Sequence, residues 1–76
     1  MSQLRMMKPG KGDVKLAEWD VKDEQSVALS KDEFDKMMGT GGKLAYATDP
    51  KGQNVAIQTF APDAETITIV PLGIGG

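Results

Sequence analysis

Thr66-Ile67-Thr68-Ile69-Val70-Pro71 is the segment that predicts the fold most directly, and Leu72-Gly73-Ile74-Gly75-Gly76 follows it. Residues 66–70 are all β-branched, which strongly favours an extended strand. Pro71 has no amide hydrogen with which to continue a ladder, so we expect the strand to end there. The six residues 71–76 carry no charge and reach about 20 Å when fully extended. We expect this tail to be mobile, because little holds it down.

Two shorter strands are predicted upstream of that segment. Residues 43–48 alternate Leu44 and Tyr46 with smaller residues, and residues 54–60 alternate through Val55, Ile57 and Thr59. Asp49-Pro50-Lys51-Gly52 is a turn between them, and residues 61–65 connect to the last strand.

A helix is predicted over residues 23–38. Val27, Phe34 and Met38 fall on one stripe, and Gly39 follows as a helix end. A second start remains open, because Ser30 and Glu33 form a capping box. In that case residues 26–29 would be a strand or a loop.

The N-terminal region predicts a hairpin. Residues 4–7 and 14–19 are the strands, and residues 8–13 between them are rich in turn-forming residues. The alternation fails at Ala17-Glu18-Trp19, which indicates either a bulge or an early strand end.

This order of elements predicts an α+β fold, with one helix across one face of a mixed sheet of four to five strands. We expect one domain over residues 1–70 and a flexible tail over residues 71–76. The expected core consists of large apolar residues from every element: Val14, Leu16, Val27, Phe34, Met38, Leu44, Ile57, Phe60, Ile67 and Ile69.

Composition excludes several classes of function. The chain has 76 residues and neither cysteine nor histidine, so disulfides, Cys/His zinc sites, thiol nucleophiles and imidazole bases are ruled out. Nine basic and eleven acidic residues are interleaved without a basic stripe, which argues against nucleic-acid binding. Because no apolar run or signal peptide is recognised, we expect a cytoplasmic protein without membrane contact. We expect no metal, no cofactor and no catalytic residue.

The uncharged Gly-Gly end suits a chemical role for the carboxylate of Gly76. A carboxylate becomes a good acyl donor after ATP-dependent adenylation, which requires a closed site in another enzyme. Gly75 and Gly76 can thread a narrow channel because they lack a Cβ atom. Leu72 and Ile74, with Pro71 and Gly73 beside them, would give that enzyme an apolar segment to grip. A merely frayed chain end is the alternative interpretation of the two glycines.

The last strand running into Gly75-Gly76, with the order of elements before it, resembles the β-grasp superfamily. That superfamily includes ubiquitin, the sulfur carrier of thiamine synthesis and the small subunit of molybdopterin synthase. In the last of these, two prolines commonly follow the final strand, whereas Leu72 stands in the second place here.

The chain is more similar to small ubiquitin-like proteins of bacterial ubiquitination-like operons. Three segments carry this resemblance besides the Gly-Gly end: Gly12-Asp13 leading to Leu16 and Trp19-Asp20; Lys43-Leu44-Ala45-Tyr46-Ala47 with Asp49 and Gly52; and Phe60-x-Pro62-x-Ala64-Glu65-x-Ile67. The resemblance implies a protein modifier that is not itself an enzyme. Its implied partners are an adenylating activating enzyme that uses ATP, a conjugating enzyme, a deconjugating protease and target proteins. Such operons are suspected to act in antiviral defence.

Two other functions remain open at this point. A sulfur carrier would use the same activation step but end as a C-terminal thiocarboxylate. A structural β-grasp protein, such as a phage tail-assembly factor, would need no activation of Gly76.

Overall fold

The computed structural model describes residues 1–8 and 10–72. Its elements are β1 (Ser2–Lys8), β2 (Gly12–Trp19), α1 (Glu24–Met38), β3 (Lys43–Thr48), β4 (Asn54–Ile57) and β5 (Thr66–Pro71). The five strands form one sheet in the order β2-β1-β5-β3-β4. Only β1 and β5 are parallel among its neighbouring pairs. The helix packs across one face, so the predicted α+β, β-grasp architecture is confirmed.

The helix begins where the longer of the two predicted helices would begin. Asp23 is its N-cap, and its carboxylate accepts hydrogen bonds from the backbone N–H groups of Gln25 and Ser26. Ser30 therefore caps nothing. It lies inside the helix at 1 % exposure, where its hydroxyl donates to the carbonyl oxygen of Glu18 at 3.2 Å.

The core lies between the helix and the inner face of the sheet. Its fully buried residues are Leu4, Trp19, Phe34, Ala45, Ala64, Ile67 and Ile69. Five predicted core residues pack against these while only partly buried: Leu16, Val27, Met38, Ile57 and Phe60. The prediction of Leu44 as core was wrong, because its side chain is 40 % exposed on the opposite face. Val14 is half-buried and lies outside this cluster.

A β-bulge explains the broken alternation in the second strand. Leu4 pairs with Ala17 and Arg5 pairs with Lys15, so Leu16 is the extra residue on β2. The strand continues past the bulge to Trp19 instead of ending early. Because one residue is inserted, the phase of inward and outward side chains changes along β2, and Trp19 is turned into the core.

Several strand boundaries differ from the predicted ones. The hairpin strands β1 and β2 begin two residues earlier than predicted, and β4 ends at Ile57, before the predicted end at Phe60. The last strand includes Pro71, which the sequence analysis assigned to the tail, and Pro71 pairs in register with Lys43. Pro9, predicted in the hairpin turn, lies outside the described residues.

Candidate functional site: the sheet face beside the exit of β5

The direction in which the chain leaves the sheet is set by backbone contacts. Beyond Pro71, the Leu72 amide donates a 2.7 Å hydrogen bond to the carbonyl oxygen of Gly42. Gly42 has a φ of 66°, a conformation that favours glycine, so the sequence allows this loop to present its carbonyl there. Of the predicted tail residues, Pro71 and Leu72 are thus held at the sheet. Gly73, Ile74, Gly75 and Gly76 lie outside the described residues.

The face of the sheet opposite the helix is polar far from this exit. The register places two rows of side chains across the strands. Gln3, Thr66, Thr48 and Asn54 form the row at the far end, and Arg5, Thr68, Tyr46 and Ala56 form the middle row. Such rows are typical of a sheet face that meets water.

Nearest the exit, the row is apolar on β1, β5 and β3, and Asp13 of β2 stands opposite Met7 at its edge. Leu44 pairs directly with Val70. Met7 follows Met6, whose partner on β5 is Ile69, so Met7 lies beside Val70 on the same face. Met7 and Leu44 are 46 % and 40 % exposed. We call Met7, Leu44 and Val70 the sheet patch.

An open hollow joins the sheet patch to the start of the tail. It measures about 390 Å³ and is lined by Met7, Lys8, Gly10, Gly12, Val70 and Pro71. Gly10 and Gly12 have positive φ values, 79° and 72°, which allow the tight turn that borders this hollow. A partner that covers the sheet patch would therefore also meet the first residue of the predicted tail.

Basic residues lie near this exit. Lys8 is the last residue of β1, and Lys11 lies in the turn that follows. Lys43 is in register with Pro71, and its ammonium group donates to Thr40 and to the carbonyl oxygen of Gly41. The one nearby carboxylate of the β1–β2 hairpin, Asp13, lies 3.6 Å from the guanidinium of Arg5. Lys8 and Lys11 therefore leave this end of the sheet with basic side chains around an apolar centre.

The sequence analysis placed two described residues at this site, Pro71 and Leu72, and the structure brings both to the same end of the sheet. It did not assign Met7 or Val70 to a site, and it placed Leu44 in the core. The only signal for Met7 was the pair Met6-Met7 on an edge hairpin. What unites the three residues is strand register, which links positions 7, 44 and 70.

Two features are absent from the described residues: a metal-ligand cluster and a membrane-spanning helix. No group of three or more acidic, cysteine or histidine side chains is arranged there to hold a metal ion. Within residues 1–8 and 10–72, no helix is long and apolar enough to cross a membrane.

Comparison of the chain with protein-family models, with curated proteins and with solved structures finds no match.

Proposed function

We propose that this protein is a ubiquitin-like modifier. Other enzymes would activate the carboxylate of its C-terminal Gly76 and attach it to target proteins in the cytoplasm. The observation that carries this proposal is the sheet patch. It is a run of apolar side chains across β1, β5 and β3, bordered by Asp13 on β2 and by rows that are mainly polar. Its member Val70 lies on the strand that leads to Gly75-Gly76. A partner docked there would be next to the reactive end.

The proposed chemistry needs four transfers. The carboxylate of Gly76 attacks the α-phosphate of ATP in the activating enzyme, which forms an acyl-adenylate and releases pyrophosphate. A cysteine thiolate of the enzyme then displaces AMP to give a thioester. A cysteine thiolate of the conjugating enzyme attacks this thioester in turn and releases the first thiolate. Finally a target amine attacks the carbonyl carbon, the thiol leaves, and the amine loses a proton to form an amide. A dedicated protease would hydrolyse this amide.

The chain itself contributes recognition. Binding energy gained at the sheet patch, remote from the reacting atoms, positions the tail for the adenylation step. The basic residues Lys8 and Lys11 would supply complementarity to an acidic rim, which speeds encounter and selects the partner.

The test is to find Gly76 joined to a target. The tagged protein is produced in its host, purified under denaturing conditions and digested. The last basic residue is Lys51, so trypsin would leave residues 52–76 on the acceptor. Digestion after glutamate would leave the shorter residues 66–76, with Glu65 as the cleavage site. We expect branched peptides in which Gly76 is amide-linked to a lysine.

A matched variant separates the proposal from its alternatives. Replacing Gly76 with arginine should remove every adduct, whereas Val55→Ala, far from the exit, should leave the adducts unchanged. Recovery of only a C-terminal thiocarboxylate, with one oxygen replaced by sulfur, would instead identify a sulfur carrier. A protein that works fully with Gly76 deleted and forms no adduct would be structural.

A further inference from the structure

A second apolar depression lies on the other side of the molecule, between the first half of α1 and the loop after β4. It has a volume of about 450 Å³, with Val21, Val27, Ala28 and Pro62 as its apolar lining and Glu24 and Lys31 at its rim. We call it the helix hollow. Val21 is 56 % exposed although it is a large apolar residue in a turn. An exposed valine in a turn contributes little to the stability of the fold, whereas its burial against a partner would contribute more to binding.

The walls of the helix hollow are held in place by hydrogen bonds. On one side, the indole N–H of Trp19 donates to the carbonyl oxygen of Pro62 at 3.0 Å. On the other side, the backbone N–H of Asp23 donates to the backbone carbonyl oxygen of Asp20 at 2.8 Å. The Ser26 hydroxyl donates to the carbonyl oxygen of Asp23 at 2.8 Å. Because both walls are fixed before binding, a ligand would not have to order them.

An acidic depression adjoins the helix hollow and shares Val21 with it. This acidic hollow has a volume of about 280 Å³, and Asp20, Asp63 and Glu65 contribute to its lining. Glu24 continues the negative charge along the rim of the helix hollow. Apolar and acidic depressions therefore lie next to each other.

Four positive groups lie near this acidic charge. Lys31 at the rim is paired with Asp35 through a 2.8 Å contact, so its charge is largely balanced. Part of the rest is offset by the N-terminal ammonium of Met1, a residue that lines the acidic hollow, by Lys22 in the turn and by the partial positive charge at the start of α1. The four carboxylates that line the two hollows still outnumber the ammonium groups of Met1 and Lys22, so the surface favours a cationic ligand.

We infer that the helix hollow and the acidic hollow together form a docking surface for a protein segment that presents an apolar side chain beside lysine or arginine. The apolar side chain would contact Val21, Val27 and Pro62, and the basic group would meet Asp20 and Asp63. This surface is on the helix layer, whereas the sheet patch is on the outer face of the sheet. Both can therefore be occupied at once, and a receptor can bind here while the tail end is engaged elsewhere.

The test is a titration of the full ¹⁵N-labelled chain, followed by NMR, with a synthetic blocked peptide of one leucine flanked by lysines. We expect the amide signals of Val21, Val27, Ala28 and Asp63 to shift most. Two matched peptides complete the set: one has glycine in place of leucine, and the other has glutamate in place of lysine. Loss of the buried leucine should weaken binding by roughly tenfold or more, and the acidic peptide should not bind measurably.

Two protein variants locate the site. Ala28→Gln extends a polar chain into the helix hollow and should abolish the shifts. Leu29→Gln is the control, because Leu29 is the next helical residue, is 65 % exposed and does not line either hollow. Val21→Ser provides a second probe if Ala28→Gln fails to fold.

Three results would overturn the inference. These are equal binding of the glycine peptide, shifts centred on the sheet patch, and binding that survives both Ala28→Gln and Val21→Ser. No activation of Gly76 is involved in this titration, so its outcome is independent of whether the chain is a modifier.

Discussion

Replacing Leu44 with alanine should impair partner docking much more than it destabilises the fold. Full burial of a leucine side chain stabilises a protein by about 1.5–3 kcal/mol. Leu44 is 40 % exposed and faces solvent, so only part of that free energy is lost and no closed cavity forms. We expect a cost of about 1 kcal/mol, which corresponds to a fall in Tm of roughly 4–8 °C for a domain of this size.

Two variants calibrate this effect. Val55 is 56 % exposed on β4 and lies outside the sheet patch, so Val55→Ala should cost at most about 1 kcal/mol and spare docking. Ile69 pairs with Ala45 on the inner face and is fully buried. Ile69→Ala should cost about 2–5 kcal/mol. That loss is comparable to the whole stability of about 3–5 kcal/mol expected for a chain of this size.

Both quantities can be measured on the same proteins. Unfolding in urea is followed by the fluorescence of Trp19, the single tryptophan, which is buried. Docking is followed by the rate of ATP-dependent thioester formation with the activating enzyme. We expect Leu44→Ala to slow this reaction by about tenfold or more at subsaturating protein, as for a central interface residue. Unchanged thioester formation, or a loss of stability as large as that of Ile69→Ala, would refute this account of Leu44.

Three further predictions concern the helix. Ser30→Ala removes the hydrogen bond to Glu18 and should cost about 1 kcal/mol in urea unfolding; equal stability would mean that water replaces the hydroxyl. Asp23→Ala removes the N-cap and should also cost about 1 kcal/mol, with faster amide exchange in the first helical turn, whereas Asp23→Asn should retain most of it. The hydrogen bond and charge of Asp35 raise the pKa of Lys31 above 10.5. The stability this pair contributes is therefore present below pH 10.5 and lost as the pH rises through the raised pKa. NMR titration should show that Asp35→Asn lowers that pKa.

The sequence predicted the elements of the fold better than the direction of their side chains. The β-branched run over residues 66–70 and the helical stripe are local signals, and both were confirmed as a strand and a helix. Alternation in residues 43–48 predicts a strand but does not say which set of residues faces inward. The larger residue Leu44 was assigned to the core, whereas the small Ala45 is buried beside its partner Ile69. The size of one side chain could not show which set of residues in β3 faces the core. Side chains from the neighbouring strands fill the space that a small residue such as Ala45 leaves.

The bulge shows the same limit in another form. Insertion of Leu16 changes the phase of β2 and places Trp19 in the core, 4.8 Å from the ring of Phe60. The broken alternation at Ala17 indicated that something changes there. The choice between a bulge and a strand end depended on pairing with β1, which involves residues more than ten positions away.

The outer face of the sheet carries the strongest argument for a partner. A two-layer domain with one helix leaves one sheet face to solvent, and polar side chains suffice to stabilise it, as the far rows show. On this face β5 presents Thr66 and Thr68 in the two far rows but Val70 in the row nearest the exit. Valine and threonine are similar in shape and both favour strands, so the strand itself does not require the change. Leu44 beside Val70 exposes apolar area that contributes little to folding. The fold does not require apolar side chains at that end of the sheet, whereas the proposed partner, which engages the chain where it leaves β5, would.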